Sequence, residues 1–179
     1  LMNKRPDWDT YFLNIAKAVC MRSTCLRRNY GAVIVDSSKA IVSTGYNGSP
    51  VGDINCCDYG KCKREELHVP KGERYELCKA IHAEQNAIIN CTKQRMIGST
   101  IYIYGKNFDG TLASGCPCLL CERMIKNGGI AEAVYLLPKD GKIYLVHRDI
   151  QKDKRIQTVE YEIYKRSVLN GEVIKSAII

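Results

Sequence analysis

The sequence predicts an α/β protein in three layers, α-β-α, with helices on both faces of a central sheet. Three observations carry this. Segments with helical apolar spacing alternate with short runs rich in Val and Ile. Their order along the chain, α-β-β-α-β-α-β, is one that a sheet covered on both faces accommodates. The length, 179 residues, suits one domain with a full core.

Each element follows from local pattern. Trp8, Tyr11, Phe12, Ile15, Ala16, Val19 and Cys20 recur at three and four residues behind Pro6-Asp7, so a helix is expected over about residues 7–22. Residues 23–29 break it. Residues 31–36 read as a buried strand, 37–39 as a turn and 40–45 as the hairpin partner, followed by the loop 46–50. Residues 53–78 show no apolar periodicity and hold Cys56, Cys57, Cys62, His68 and Cys78 among charges. A segment of that length needs a fastener other than a core, and metal is one. A helix is expected over 80–92, a strand over 99–105, a loop over 106–115, a helix from Cys118 to about Asn127 ended by Gly128-Gly129, and a strand over 131–137. Beyond Pro138 the pattern suggests a helix over 147–157 and a strand over 159–164.

Composition narrows the class. Hydrophobic residues make up 45% and charged residues 26%, as in ordinary globular proteins. No apolar run approaches a membrane span, and Asn3 to Asp7 is not followed by a signal-peptide core, so a cytoplasmic location without a membrane partner is expected. Ten Cys in a reducing compartment argue for metal binding rather than disulfides. The net charge of +8 favours anionic partners, either nucleotide phosphates or nucleic acid.

Two short stretches carry the chemistry. His82-Ala83-Glu84 opens one predicted helix, and Pro117-Cys118-Leu119-Leu120-Cys121 opens another. His82, Cys118 and Cys121 supply three ligands of the type zinc prefers, which leaves a fourth position open. Glu84, two residues past His82, is placed to move protons rather than to ligate. The positive end of a helix favours the Cys118 thiolate. The alternative is a helix cap beside a purely structural metal site. The H-x-E and P-C-x-x-C pair is the signature of the zinc deaminases, in which zinc activates water for attack on a base carbon bearing an amino group.

The wider sequence resembles the deoxycytidylate deaminases of the cytidine deaminase-like superfamily, of the bacterial and phage type. The resemblance rests on Trp8-Asp9-x-Tyr11-Phe12, Arg22-Ser23-Thr24-Cys25, Gly31-Ala32-Val33-Ile34-Val35, Gly45-Tyr46-Asn47-Gly48-Ser49-Pro50, His82-Ala83-Glu84-Gln85-Asn86-Ala87-Ile88, and Pro117-Cys118-x-x-Cys121 with Met124-Ile125 and Gly129-Ile130. It spans residues 7–137. It implies the three-layer fold with a mixed sheet, conversion of dCMP to dUMP and ammonia for thymidylate synthesis, a homo-oligomer such as a hexamer, and dCTP and dTTP as effectors, with Mg accompanying the effector. Glu84 would be the catalytic acid/base. Asn47 would contact the sugar, although Asn-Gly is also a strong turn pair, and the carbonyl of Ala83 or of Cys118 would hold the departing amino group.

The resemblance further implies a second, structural zinc held by Cys25, Cys56, Cys62 and Cys78, with Cys57 or His68 as substitutes. That zinc would fasten residues 53–78 within a single domain spanning 1–179, of which 138–179 match weakly. Cys20 and Cys91 lie on helical apolar faces and read as core. The loop 106–116 is longer than in many relatives. Two other functions fit the same motifs: a deaminase of another cytosine or adenine nucleoside, nucleotide or nucleic-acid base, and a non-catalytic zinc-stapled binding module. The basic residues are scattered rather than arranged as an aromatic-lined track, which disfavours nucleic acid.

Overall fold

The computed structural model describes residues 5–70, 73–152, 154–163 and 174–178, the last two stretches by backbone course alone. The chain opens with α1 (Trp8–Cys20), capped by the Asp7 carboxylate, which accepts from the Thr10 N–H at 2.8 Å. A hairpin follows, β1 (Arg28–Val35) and β2 (Ile41–Tyr46). The insert carries two single-turn helices, α2 (Cys56–Tyr59) and α3 (Lys63–Glu66), and a 3-10 turn at Tyr75–Leu77. Then come α4 (Ala83–Ile89), α5 (Lys93–Met96), β3 (Thr100–Asn107) and the short β4 (Leu112–Ala113), which folds back on β3. The chain continues through α6 (Leu119–Asn127), β5 (Glu132–Lys139), β6 (Lys142–Asp149), β7 (Lys154–Ile163) and β8 (Ile174–Ile178).

Among the described residues the strands form one sheet in the order β2-β1-β3-β5-β6-β7-β8, with β4 attached to β3. Only the β3–β5 pairing is parallel, so the sheet is mixed as expected. Its crossover is α6, as a parallel connection requires.

Strand alternation sorts the core into two layers. Val33, Val35, Tyr102, Tyr104, Val134, Leu136 and Leu145 face α1 and pack with Phe12, Leu13, Ala16 and Cys20. Ala32, Ile34, Ile101, Ile103, Ala133, Tyr135 and Val146 face the other way and pack with Ala83, Ala87 and Ile125 from α4 and α6. Two glycines let the helices close on the sheet. A Cβ at Gly31 would stand 2.1 Å from the Ala16 carbonyl oxygen of α1, and one at Gly45 would stand 2.2 Å from the Ala87 nitrogen of α4. The exposed edge of β2 is covered by α4: Asn86 and Asn90 donate side-chain N–H bonds to the Tyr46 and Thr44 carbonyls at 2.7 and 3.1 Å.

The helix expected over 147–157 is absent. Those residues end β6 and begin β7. The physical reason lies at Asp140-Gly141, where both residues adopt positive φ (52° and 74°) in a two-residue turn that pairs Lys139 with Lys142. Asp-Gly is a strong signal for such a hairpin. Past it, Leu145 packs on the α1 layer and Val146 on the opposite one, a period of two rather than of a helix. Residues 159–163 lie in β7, as expected; Tyr164 lies outside the described residues.

Candidate metal centre and active site

The two chemical motifs meet at the start of two helices. His82 is the N-cap of α4 and Cys118 the N-cap of α6, both in extended backbone. The His82 Nδ1 lies 3.5 Å from the Cys118 Sγ and 3.3 Å from the Cys121 Sγ. All three donor atoms fall within 4.8 Å of one another, the one such group among the described residues. Tetrahedral zinc with ordinary Zn–N and Zn–S lengths holds N and S atoms about 3.6 Å apart. The donors are therefore already spaced for the ion, and two thiols with an imidazole are a set that can hold zinc.

The backbone fixes this arrangement from several sides. Ile81 and Gly48 exchange both backbone hydrogen bonds (2.8 and 3.2 Å), which ties the residue before His82 to the Asn47–Gly48 loop. The Gln85 side chain accepts from the His82 N–H at 2.9 Å, one arm of a capping box. On α6, Cys121 and Ile125 are fully buried one turn apart, so the helix presents its second sulfur inward.

Electrostatics agree with the donor roles. The Cys118 thiol is lowered to about 3, because Cys121 and His82 donate hydrogen bonds to its thiolate. The hydrogen bond it donates to Cys118, and then burial, push the Cys121 thiol up. The Cys118 bond also raises His82, against burial. Glu84 is buried beside the three donors, and its carboxyl reaches the Cys121 thiol. Burial raises its pKa, against the backbone hydrogen bond and the His82 charge, which lower it.

Asn47 is nearly buried and heavily used by the fold. Its Oδ1 accepts from the Ser23 hydroxyl (2.6 Å) and the Tyr30 N–H (2.7 Å), while its Nδ2 donates to the Arg28 carbonyl (2.9 Å). One amide hydrogen of Nδ2 is left over from these bonds. These bonds lock the Asn47–Gly48 loop to β1. Ala83 is fully buried at the first turn of α4, its carbonyl against Gly45.

The second cysteine set is arranged differently. Cys25, Cys56, Cys62 and Cys78 share one neighbourhood: burial raises the Cys56 thiol, and then the thiolates of Cys25, Cys62 and Cys78 raise it further. No three of them converge within 4.8 Å. Cys57 is exposed, its N–H bonded to the Thr24 carbonyl at 3.1 Å, and His68 takes positive φ in an exposed turn.

Sequence reasoning missed what holds the insert. Arg64 is 5% exposed. Its Nη2 donates to the Pro70 and Glu73 carbonyls (2.9 and 2.5 Å), and its guanidinium stacks 4.3 Å over the Tyr75 ring. A Lys-Arg-Glu-Glu run reads as solvated surface, so the sequence carries no signal for this arrangement.

The comparisons agree with the geometry. The profile of the cytidine and deoxycytidylate deaminase zinc-binding region matches residues 6–137. A deoxycytidylate deaminase of Mycobacterium phage D29 is 38% identical over 141 residues, 76% of this chain and 98% of the phage protein. The deoxycytidylate deaminase of Schizosaccharomyces pombe is 36% identical over 131 residues, 73% of this chain but 37% of the yeast protein's length. The dCMP deaminase of cyanophage S-TIM5, solved in apo form, superposes with a TM-score of 0.50 at 25% identity, covering 73% of this chain and 82% of that one. With its donor triad at the expected positions inside the matched region, the chain belongs to the cytidine and deoxycytidylate deaminase family.

Proposed function

We propose that this protein hydrolyses dCMP to dUMP and ammonia, with one catalytic zinc on His82, Cys118 and Cys121. The observation that carries the reading is the preformed donor triad with a buried carboxylate, Glu84, beside it. When bound, zinc would act as a Lewis acid and bring the pKa of its water toward neutrality. The remaining steps belong to the chain. Glu84 takes the proton of the attacking water and delivers it to ring N3 of the cytosine. It then takes the remaining proton from the hydroxyl newly bonded to C4 and gives it to the amino nitrogen, which leaves as ammonia while the C4 oxygen becomes the carbonyl of dUMP. Burial keeps bulk water away from this relay. Asn47 offers its free amide hydrogen to the sugar, and the Ala83 backbone borders the pyrimidine.

Four further points belong to the same reading. Cys25, Cys56, Cys62 and Cys78 hold a structural zinc that draws them together on binding, supported by their shared neighbourhood. The protein assembles as a homo-oligomer, a hexamer by resemblance, and responds to dCTP and dTTP, with Mg accompanying the nucleotide. It acts in the cytoplasm; no helix among the described residues is long and apolar enough to cross a membrane. Residues 1–179 form one domain.

The test is ammonia release from dCMP, CMP, dCTP, cytidine and single-stranded DNA by the zinc-loaded protein, with and without dCTP as effector. The reading expects dCMP to give the highest kcat/KM. A better substrate among the others overturns the substrate assignment, and turnover of none overturns the enzymatic one.

A further inference from the structure

The matched family region ends at residue 137, yet the strand after it grips the helix that carries both zinc-ligating thiols. Arg148 of β6 makes a two-pronged ion pair with Glu122 of α6: Nη1 to Oε2 at 2.9 Å and Nη2 to Oε1 at 2.6 Å. The pair is well shielded, with side chains 15% and 18% exposed. Three residues on, the Gln151 amide donates to the Lys126 carbonyl (3.2 Å) and the Ile130 carbonyl (2.7 Å). The first of these is an end carbonyl of α6, which also accepts the Gly129 N–H at 3.1 Å.

We infer that Arg148 and Gln151 are positioning residues for zinc, bracing α6 so that Cys118 and Cys121 hold the ion in one geometry. A nine-residue helix is too short to keep its own shape in water. Its inner side is anchored by Cys121 and Ile125, which fix its depth. Rotation about the helix axis needs a lateral fixing point, and Glu122 is adjacent to Cys121. Each residue turns the helix by about 100°, so holding the Glu122 carboxylate in a guanidinium fork fixes the direction of the Cys121 sulfur. The fork is planar and bidentate, which sets angle as well as distance. Gln151 fixes the far end. Position along β6 explains the supply of Arg148: Val146 faces the α6 layer, and Arg148, two residues on, shares that face.

The inference rests on the zinc assignment above, and its test separates the two. The zinc-loaded parent and the variants Arg148→Met, Arg148→Lys, Glu122→Gln and Gln151→Ala are mixed with a chromogenic chelator, and zinc release is timed. Since the structural site would also release metal, the catalytic phase is identified as the one missing in Cys121→Ser. The expected result is a catalytic-phase release about 10-fold faster in Arg148→Met and Glu122→Gln, in line with other residues that orient metal ligands. Smaller accelerations are expected for Arg148→Lys and Gln151→Ala. In all four, kcat should fall while KM for dCMP stays within about two-fold. The exchanged pair Glu122→Arg/Arg148→Glu should recover most of the slow release. If Arg148→Met fails to fold, Arg148→Lys and Gln151→Ala decide alone. Release at the parent rate in the folded variants, with only a lower melting temperature, overturns the brace. A parent with no zinc phase lost in Cys121→Ser overturns the zinc assignment instead.

Discussion

The two cysteine sets of this protein sit in unlike surroundings. Cys118 and Cys121, with His82, ride on the first turns of helices whose inner faces are packed on the sheet, and their donor atoms have converged. Cys25, Cys56, Cys62 and Cys78 ride on a loop and an insert built from single turns, and theirs have drawn near without converging. On the function proposed above, the contrast separates two uses of a metal. Where an ion must do chemistry, the scaffold holds the ligands beforehand and one position stays open. Where an ion only fastens chain, the chain can wait for it, and binding energy becomes folding energy.

The sharpest way to break this comparison is at Glu84. Glu84→Gln should retain catalytic zinc by elemental analysis while kcat falls by about three orders of magnitude, within the range removed with a general acid/base. Retained turnover would sink the proton-relay role. Next come the sulfurs. The parent should carry two zinc ions per chain. Cys121→Ser should lose one and keep the insert resistant to protease, whereas Cys62→Ser should lose the other and expose residues 53–78 to cleavage. Equal protease sensitivity in both variants would erase the distinction between the sets. A smaller effect is expected at Arg64. Arg64→Met removes the donor shared by the Pro70 and Glu73 carbonyls and the stack on Tyr75, and should lower stability by about 2 kcal/mol in denaturant melts. It should also raise the zinc requirement for protecting the insert while leaving dCMP turnover near parent.

The smallest effect tests the scaffold away from both sets. His147 on β6 bonds Asp9 of α1 through Nε2 (2.9 Å) and Glu132 of β5 through Nδ1 (2.5 Å), and Tyr102 donates to the other Asp9 oxygen at 2.9 Å. The bonds to Asp9 and then Glu132 outweigh burial and raise His147 to about 10. For Asp9, burial alone would raise the carboxyl, but the His147 and Tyr102 bonds together hold it below its usual value. A raised histidine stabilises the fold fully below its unfolded pKa near 6.5 and loses that contribution as pH climbs through about 10. His147→Gln should therefore lower the melting temperature by a few degrees at pH 6, and the gap should close toward pH 10. A gap that widens with pH would reverse the assigned charge state. Zinc content should not change.

What could be read from sequence divides along the same line. The triad was legible because its spacing is local: His82 to Glu84 and Cys118 to Cys121 each fit within one turn, and each starts a helix with an apolar inner face. The core strands were legible because Ala32 to Val35 and Ile101 to Tyr104 leave little room for another reading. The residues that hold these pieces in place were not. Asp9 and His147 are 138 residues apart, and Glu122 and Arg148 are 26 apart, so nothing in either neighbourhood announces the other. Arg64 reads as surface because the partners of its Nη2 are backbone carbonyls, which no side-chain pattern records. The helix expected over 147–157 fails because the Asp140-Gly141 turn starts a hairpin whose two-residue period carries through to Asp149.

Gly31 and Gly45 have one further consequence. Neither needs its glycine for an unusual backbone angle; each is a seat into which a helix backbone settles, from opposite faces of neighbouring strands. Most core positions of a protein can drift by trading volume with a neighbour. These two have no volume to trade, because what they meet is main chain. The thickness of the molecule beneath His82 is thus a quantity that neutral substitution cannot explore, and lineages diverging in substrate or regulation would have to vary around it.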